Sequence, residues 1–220
     1  MQTQLPVTVK PETKLAEQRL TLTHVAWDTY EKLLDAFGEH RAVRFHYDKG
    51  VLELMVPLED HENPSAVIGI LIFNLAVDCD LTIKSMDSTT LRRKKLQKGA
   101  EPDKCFYIQN EPLVRGKTVD LEKDPPPDLV VEIDITHSDV NKNALYAALG
   151  IPEFWRFDGK VLRILHLQDS QYHEVDVSPT FPWLEKPVIY RFFEDCRTLG
   201  EAQAMRNFRI WLQSNKPDEG

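Results

Sequence analysis

Hydrophobic positions recur at helical spacing in some stretches of this chain and alternate or run together in others, which marks out helices and strands. Thr23 is placed to cap a helix that carries Val25, Tyr30, Leu33, Leu34 and Phe37, with Gly38 at its end. Val43 to Asp48 and Val51 to Val56 are β-rich runs joined by Lys49-Gly50 and read as a hairpin. Beyond Pro57, DHENPS offers Asn63 as a helix cap and Pro64 as the first helical residue, followed by Val67, Ile68, Leu71, Ile72 and Leu75. Strand-like composition returns from Leu81 to about Thr90 and from Lys104 to Gln109, with the basic stretch LRRKKLQKGAEPD between.

The run DLVVEIDI, Asp128 to Ile135, is almost continuously aliphatic, as expected of a central strand covered on both faces. A turn over Thr136 to Asp139, a helix over Val140 to Leu149 closed by Gly150, and the strands EFWRFD and VLRILHLQ follow. Strand, helix and strand in that order predict a parallel crossover. A last helix spans about Glu201 to Gln213, with Met205, Phe208 and Trp211 at spacings of three. Residues 1–20 show no period and read as a mobile arm, which leaves one domain over 21–214 and a tail over 215–220.

Composition narrows the class. With 42% hydrophobic and 28% charged residues the chain is ordinary for a globular domain. A net charge of −8 works against non-specific coating of a polyanion, yet carboxylates that hold a divalent cation invert the field locally. Cys79, Cys105 and Cys196 are odd in number and widely spaced, which fits a reducing cytoplasm and gives neither a disulfide framework nor a zinc motif. The polar N-terminus lacks the apolar core of a signal peptide. The longest apolar run, Ala66 to Val77, is too short to span a bilayer.

Acids at structured positions carry the chemistry. Glu62 stands beside a helix start, Asp103 before a strand, and Glu132 and Asp134 inside the apolar strand, where alternation gives them one face. Buried carboxylates are costly, and a divalent cation offsets that cost, as does a strand end where the acids meet Arg, Lys or solvent. Lys142, near the start of the next helix, is close enough to return its ammonium to the strand's end and to orient water there, although a lone helix lysine is ordinarily solvated surface. His61 adjoins Glu62 as a secondary candidate for orienting it or binding metal. Arg92, Arg93, Lys94 and Lys95 could track a phosphate backbone or form a solvated loop. His46, His137 and the four tryptophans read as packing residues.

The strings DHENPSAVIG, STTLRR, GAEPDKCFYI, DPPPDLVVEIDIT, ALYAALGIPEFWRFDG and FRIWLQ resemble those of the Uma-two family of the PD-(D/E)xK nuclease superfamily, over about Thr23 to Gln213. The resemblance implies an α/β (α+β) restriction-endonuclease-like core, a mixed central sheet flanked by helices, with an N-terminal hairpin and a C-terminal helix. It also implies a site in which Glu62 is the helix acid, Asp103 the metal-binding Asp and Glu132 the strand acid. The superfamily's lysine normally stands two residues after the strand acid, where this chain has Asp134. A lysine relocated to the following helix makes Lys142 its substitute.

On that pattern Asp103, Glu132 and Glu62 would hold Mg²⁺, or Mn²⁺, for endonucleolytic hydrolysis of DNA. A catalytically silent relative that binds nucleic acid or a protein partner through the same scaffold is the alternative. Cutting both strands of a duplex calls for two centres, so a homodimer is expected.

Overall fold

The computed structural model describes residues 17–38, 42–87 and 89–215. In the first half of the chain these residues form β1 (Glu17–Leu22), α1 (Trp27–Phe37), β2 (Arg44–Asp48), β3 (Val51–Pro57), α2 (Glu59–Asp78), β4 (Lys84–Asp87), β5 (Leu91–Arg93), β6 (Lys98–Ala100) and β7 (Lys104–Tyr107). The second half adds α3 (Glu111–Val114), β8 (Leu129–Ile133), α4 (Lys142–Leu149), β9 (Glu153–Phe157), β10 (Leu162–Gln168), β11 (Gln171–Val175), α5 (Lys186–Leu199) and α6 (Glu201–Asn215).

The strands build two sheets. One has five strands in the order β1-β3-β2-β6-β5, all antiparallel, with the expected hairpin β2-β3 at its centre. The other has six strands in the order β11-β10-β9-β8-β7-β4 and is mixed, because β8 and β9 are parallel and joined through α4. That connection is the crossover expected from strand, helix and strand. Gly150 ends α4 in the left-handed region at φ 85°, and the N–H groups of Gly150 and Ile151 both reach Tyr146 O, closing the helix before β9.

Alternation along β8 explains how the two faces of the larger sheet are filled. Leu129, Val131 and Ile133 point into a core made with Ile68, Leu71, Ile72 and Leu75 of α2 and with Ile189, Phe192 and Phe208 of the C-terminal helices. Val130 points the other way, into a core with Leu145, Tyr146 and Leu149 of α4. A third cluster packs α1 on the hairpin through Trp27, Tyr30, Phe45, Tyr47 and Leu52. Gly99 of β6 is required there, since a Cβ would sit 2.2 Å from the Tyr30 hydroxyl.

Several boundaries differ from the sequence expectations. Order begins by Glu17, so residues 17–20 belong to an edge strand paired over six positions with β3 and not to an arm; residues 1–16 of the expected arm, and all but residue 215 of the expected tail, lie outside the described residues. Helix α1 starts at Trp27 after Ala26, without a side-chain cap from Thr23. Helix α2 starts five residues ahead of Pro64, and its first turn closes on Leu58 O through the N–H groups of His61 and Glu62. Glu59, Asp60 and Glu62 favour that earlier start by lying at the positive end of the helix dipole. The basic stretch is not a bare loop, because it contains β5, a short 3-10 turn over Lys94–Leu96, and β6.

Candidate functional site

The same alternation that sends Leu129, Val131 and Ile133 into one core turns Glu132 toward α4 on the face of Val130. Asp134 keeps this side just beyond β8, where its N–H still pairs with Phe157 O at 2.8 Å. Asn141 caps α4 by accepting the Ala144 N–H at 3.0 Å, which fixes Lys142 as the first helical residue. The fully buried Lys142 ammonium donates to Glu132 Oε2 and to Asp134 Oδ1, at 2.6 Å in each case. One turn further on the same helix face, the Tyr146 hydroxyl donates to Glu132 Oε1, which lies 2.9 Å from His46 Nε2 of β2.

Asp103 enters from the neighbouring strand. The β7-β8 register begins at Lys104 opposite Val131, and Asp103 immediately precedes it. Asp103 Oδ2 accepts the Ile133 N–H at 2.6 Å, while Oδ1 is paired with Arg44 Nη1. Arg44 also donates from Nη2 to Glu62 Oε1 at 3.0 Å, and the Glu62 side chain is 52% exposed. His61 is buried, with Nε2 at 3.3 Å from Asp103 Oδ2 and 3.6 Å from Glu17 Oε2, and neither ring nitrogen has a hydrogen-bond partner among the described residues. Glu62, Asp103, Glu132, Asp134, Lys142 and His61 are therefore drawn into one connected cluster.

The five-stranded sheet supplies groups that the sequence reading passed over. Arg19 of β1 reaches Glu53 at 2.5 Å, Glu17 at 2.9 Å and Asp134 at 3.2 Å. Glu53 also accepts from the Ser138 hydroxyl at 3.0 Å and from the Asp139 N–H at 3.1 Å, and Arg156 holds Asp134 at 2.8 Å. His46, assigned to packing from sequence, instead contacts Glu132. A signal was present: Glu17 and Arg19, and Arg44 and His46, are polar pairs spaced by two in strands, so each pair shares a face.

Charge follows from this geometry. Glu17, Glu53, Asp103, Glu132 and Asp134 are buried, against the cations Arg19, Arg44, Lys142 and the 32% exposed Arg156. Acids thus outnumber these cations even before the half-exposed Glu62 is counted. Burial is the largest influence on Glu132 and opposes its charge, but Lys142 and His46 together override it and hold the carboxyl well below its usual range. Burial likewise opposes the charge on Lys142, and Asp134 and Glu132 outweigh it, so its pKa is raised. Asp134 is lowered against burial chiefly by Lys142, and the Tyr146 hydroxyl is pushed well up by burial and by Glu132. Burial and then Arg44 lower His61, which keeps it neutral.

The basic run is not part of this cluster. Arg92 and Lys94 face Glu31 of α1 at 3.6 Å and 3.2 Å, Arg93 is half-buried and Lys95 is exposed. A cleft of about 780 Å³ beside Arg92 is lined by Asp35, Asp87 and Asp120, which makes it a poor seat for a polyanion.

Among the described residues no group of three or more His, Cys, Asp or Glu side chains is arranged to hold a metal ion. Mg²⁺ does not require such a group, because it keeps several waters and is commonly held by one or two carboxylates. Asp103 and Glu132 offer hard oxygen donors of the kind such an ion takes, and each of their carboxylate oxygens is met by a protein donor in this structure.

The mixed sheet, its parallel crossover and the acid–lysine cluster at one end of β8 define a nuclease-fold protein of restriction-endonuclease-like architecture. The family model Uma2, described as "Putative restriction endonuclease", matches residues 27–194, and the chain belongs to that family. No curated protein matches the chain. Glu17 and Arg19 precede the matched region. Among the described residues, no helix is long and apolar enough to cross a membrane.

Proposed function

We propose that this protein is a metal-dependent endonuclease that hydrolyses phosphodiester bonds in DNA. The observation that carries the reading is the Lys142 ammonium lodged between Glu132 and Asp134, with Asp103 accepting the N–H of Ile133, the residue next to Glu132. In this reading Asp103 and Glu132 hold Mg²⁺ or Mn²⁺, with Glu62 at the exposed rim. A divalent cation there supplies a bound water of lowered pKa and neutralises phosphate charge.

The remaining roles belong to the chain's own groups. Lys142 stays protonated, so it does not act as a base; it has three N–H donors and spends two on Glu132 and Asp134. The third donor is left for a water enclosed in the cluster, since full burial keeps the ammonium out of reach of a phosphate. Asp134, where the superfamily pattern has lysine, positions Lys142 and is itself held by Arg156 and Arg19. His46 and Tyr146 fix Glu132 Oε1. Arg92, Lys94 and Lys95 are the exposed members of the basic run that a phosphate backbone would meet, and Arg93 is half-buried.

The silent nuclease-fold reading is favoured by a specific observation: the side chains of Asp103, Glu132 and Lys142 are fully buried, and every carboxylate oxygen of the two acids meets a protein donor. Supercoiled plasmid with Mg²⁺ or Mn²⁺ separates the two. Nicking that disappears with EDTA and with Asp103→Asn supports the enzyme. Tight metal-independent binding of DNA without nicking supports the silent protein.

A further inference from the structure

We infer that Arg44 is a built-in counter-cation which bridges Asp103 to the half-exposed Glu62, competes with a divalent metal for the Asp103 carboxylate, and so sets how tightly the protein holds metal. The inference rests on the reading of Asp103 and Glu132 as metal-holding acids. It concerns a residue on β2, outside the strand-turn-helix segment that carries Glu132 and Lys142.

Three internal cations touch the acids, and Arg44 is placed differently from the other two. Lys142 lies fully buried between Glu132 and Asp134. Arg19 is enclosed by Glu17, Glu53, Asp134 and Thr136. Arg44, whose side chain is as little exposed as that of Arg19, spans Asp103, which is fully buried, and Glu62, which is half-exposed, and so links the acid cluster to a carboxylate at the surface. A planar guanidinium suits this bridging, because its nitrogens bond two carboxylates at once.

A divalent ion on Asp103 would place two positive charges within a few ångströms of the Arg44 guanidinium, a strong repulsion in a partly dry site. The Asp103 oxygen that Arg44 engages is the one not held by the Ile133 N–H, so it is the oxygen most open to exchange. Arg44 also has a second partner at the rim. A shift of its guanidinium toward Glu62 releases Asp103 without stranding the charge in the interior.

Calorimetric titration of the full-length protein with Mn²⁺ tests the competition. Arg44→Gln is expected to bind Mn²⁺ about 10-fold more tightly or better, the scale on which a neighbouring like charge alters a buried ionic site. Arg44→Lys, which keeps the charge, should stay near wild type, and Asp103→Asn should abolish binding in every background. Equal or weaker binding by Arg44→Gln, with Asp103-dependent binding in wild type, overturns the role given to Arg44. If no Mn²⁺ binds either protein, the metal reading of the acids falls and this inference falls with it.

A measurement on the wild type guards against a variant that does not fold. With ¹⁵N-labelled arginine side chains, saturating Mg²⁺ should shift the Arg44 Nε resonance and leave Arg19 in place. An unmoved Arg44 signal at saturation overturns the proposal.

Discussion

Lys142 Nζ lies 2.6 Å from Glu132 Oε2, across ten positions of chain, and neither side chain is exposed. One turn and a capped helix start bring them together: Asn141 begins α4 at the residue that must face back to the strand. Burial opposes both charges, and it is outweighed at Glu132 by Lys142 with His46 and at Lys142 by Asp134 with Glu132.

Lys142→Ala is expected to lower plasmid nicking by about 10²–10⁴-fold, the range of a positioned water-orienting group. Lys142→Arg should not restore it, since a guanidinium sets its donors elsewhere. Wild-type initial rates in Lys142→Ala would remove Lys142 from the chemistry.

Tyr146 gives a milder test of the same carboxylate. Its hydroxyl stays protonated and donates to Glu132, so Tyr146→Phe deletes one charge-assisted hydrogen bond and little volume. A loss of about 1.5–3 kcal/mol is expected in urea unfolding without metal. An unchanged midpoint would mean that His46 and Lys142 suffice to hold Glu132.

Much of the larger sheet was legible because its signals are local. The aliphatic run of β8, the Gly150 stop and the strand after it announce the crossover, and alternation alone puts Glu132 beside Asp134. The Lys49-Gly50 turn announces β2-β3. What stayed hidden depends on distant partners. Strand β1 is six residues, EQRLTL, between polar segments, and it exists through its pairing with β3. Asn63-Pro64 imitates a helix start although α2 begins earlier at an acidic first turn. Helix α5, by contrast, has a local pattern, with Pro187 in its first turn and Ile189, Phe192, Phe193 and Cys196 at helical spacing. Arg44, His46 and Tyr146 look like strand and helix filler until the fold sets them against Asp103 and Glu132.

Strand β1 lies before the family-matched residues yet carries Arg19, the shared partner of Glu17, Glu53 and Asp134. Arg19→Met should leave these three acids without that cation and cost about 3–5 kcal/mol, as expected when one partner of a buried pair is removed. Chemical denaturation at neutral pH measures it. A loss below about 1 kcal/mol, the scale of an exposed pair, would show that the Arg19 contacts are incidental.

The dependence of stability on pH should separate wild type from Lys142→Met by sign. In wild type, Glu132 and Asp134 are held below their ordinary values of 4.5 and 3.8. Their contribution is therefore fully present above those values and is lost as pH falls through the lower folded ones. Lys142 is held above its ordinary 10.5, so its contribution is present below 10.5 and is lost only as pH rises through its folded value. Between these limits the contribution of these three groups should be flat, while His61, lowered from its ordinary 6.5, adds stability in both proteins as pH rises toward that value. Lys142→Met removes the main opposition to burial at Glu132, while Asp134 retains Arg19 and Arg156. The Glu132 pKa then rises, and a raised carboxylate reverses the sign, so stability falls as pH climbs through it. Melting temperatures across mildly acidic to neutral pH should therefore fall for Lys142→Met relative to wild type, with a deficit of about 3–5 kcal/mol at neutral pH. Parallel curves for the two proteins would show that Lys142 does not sustain the charge on Glu132.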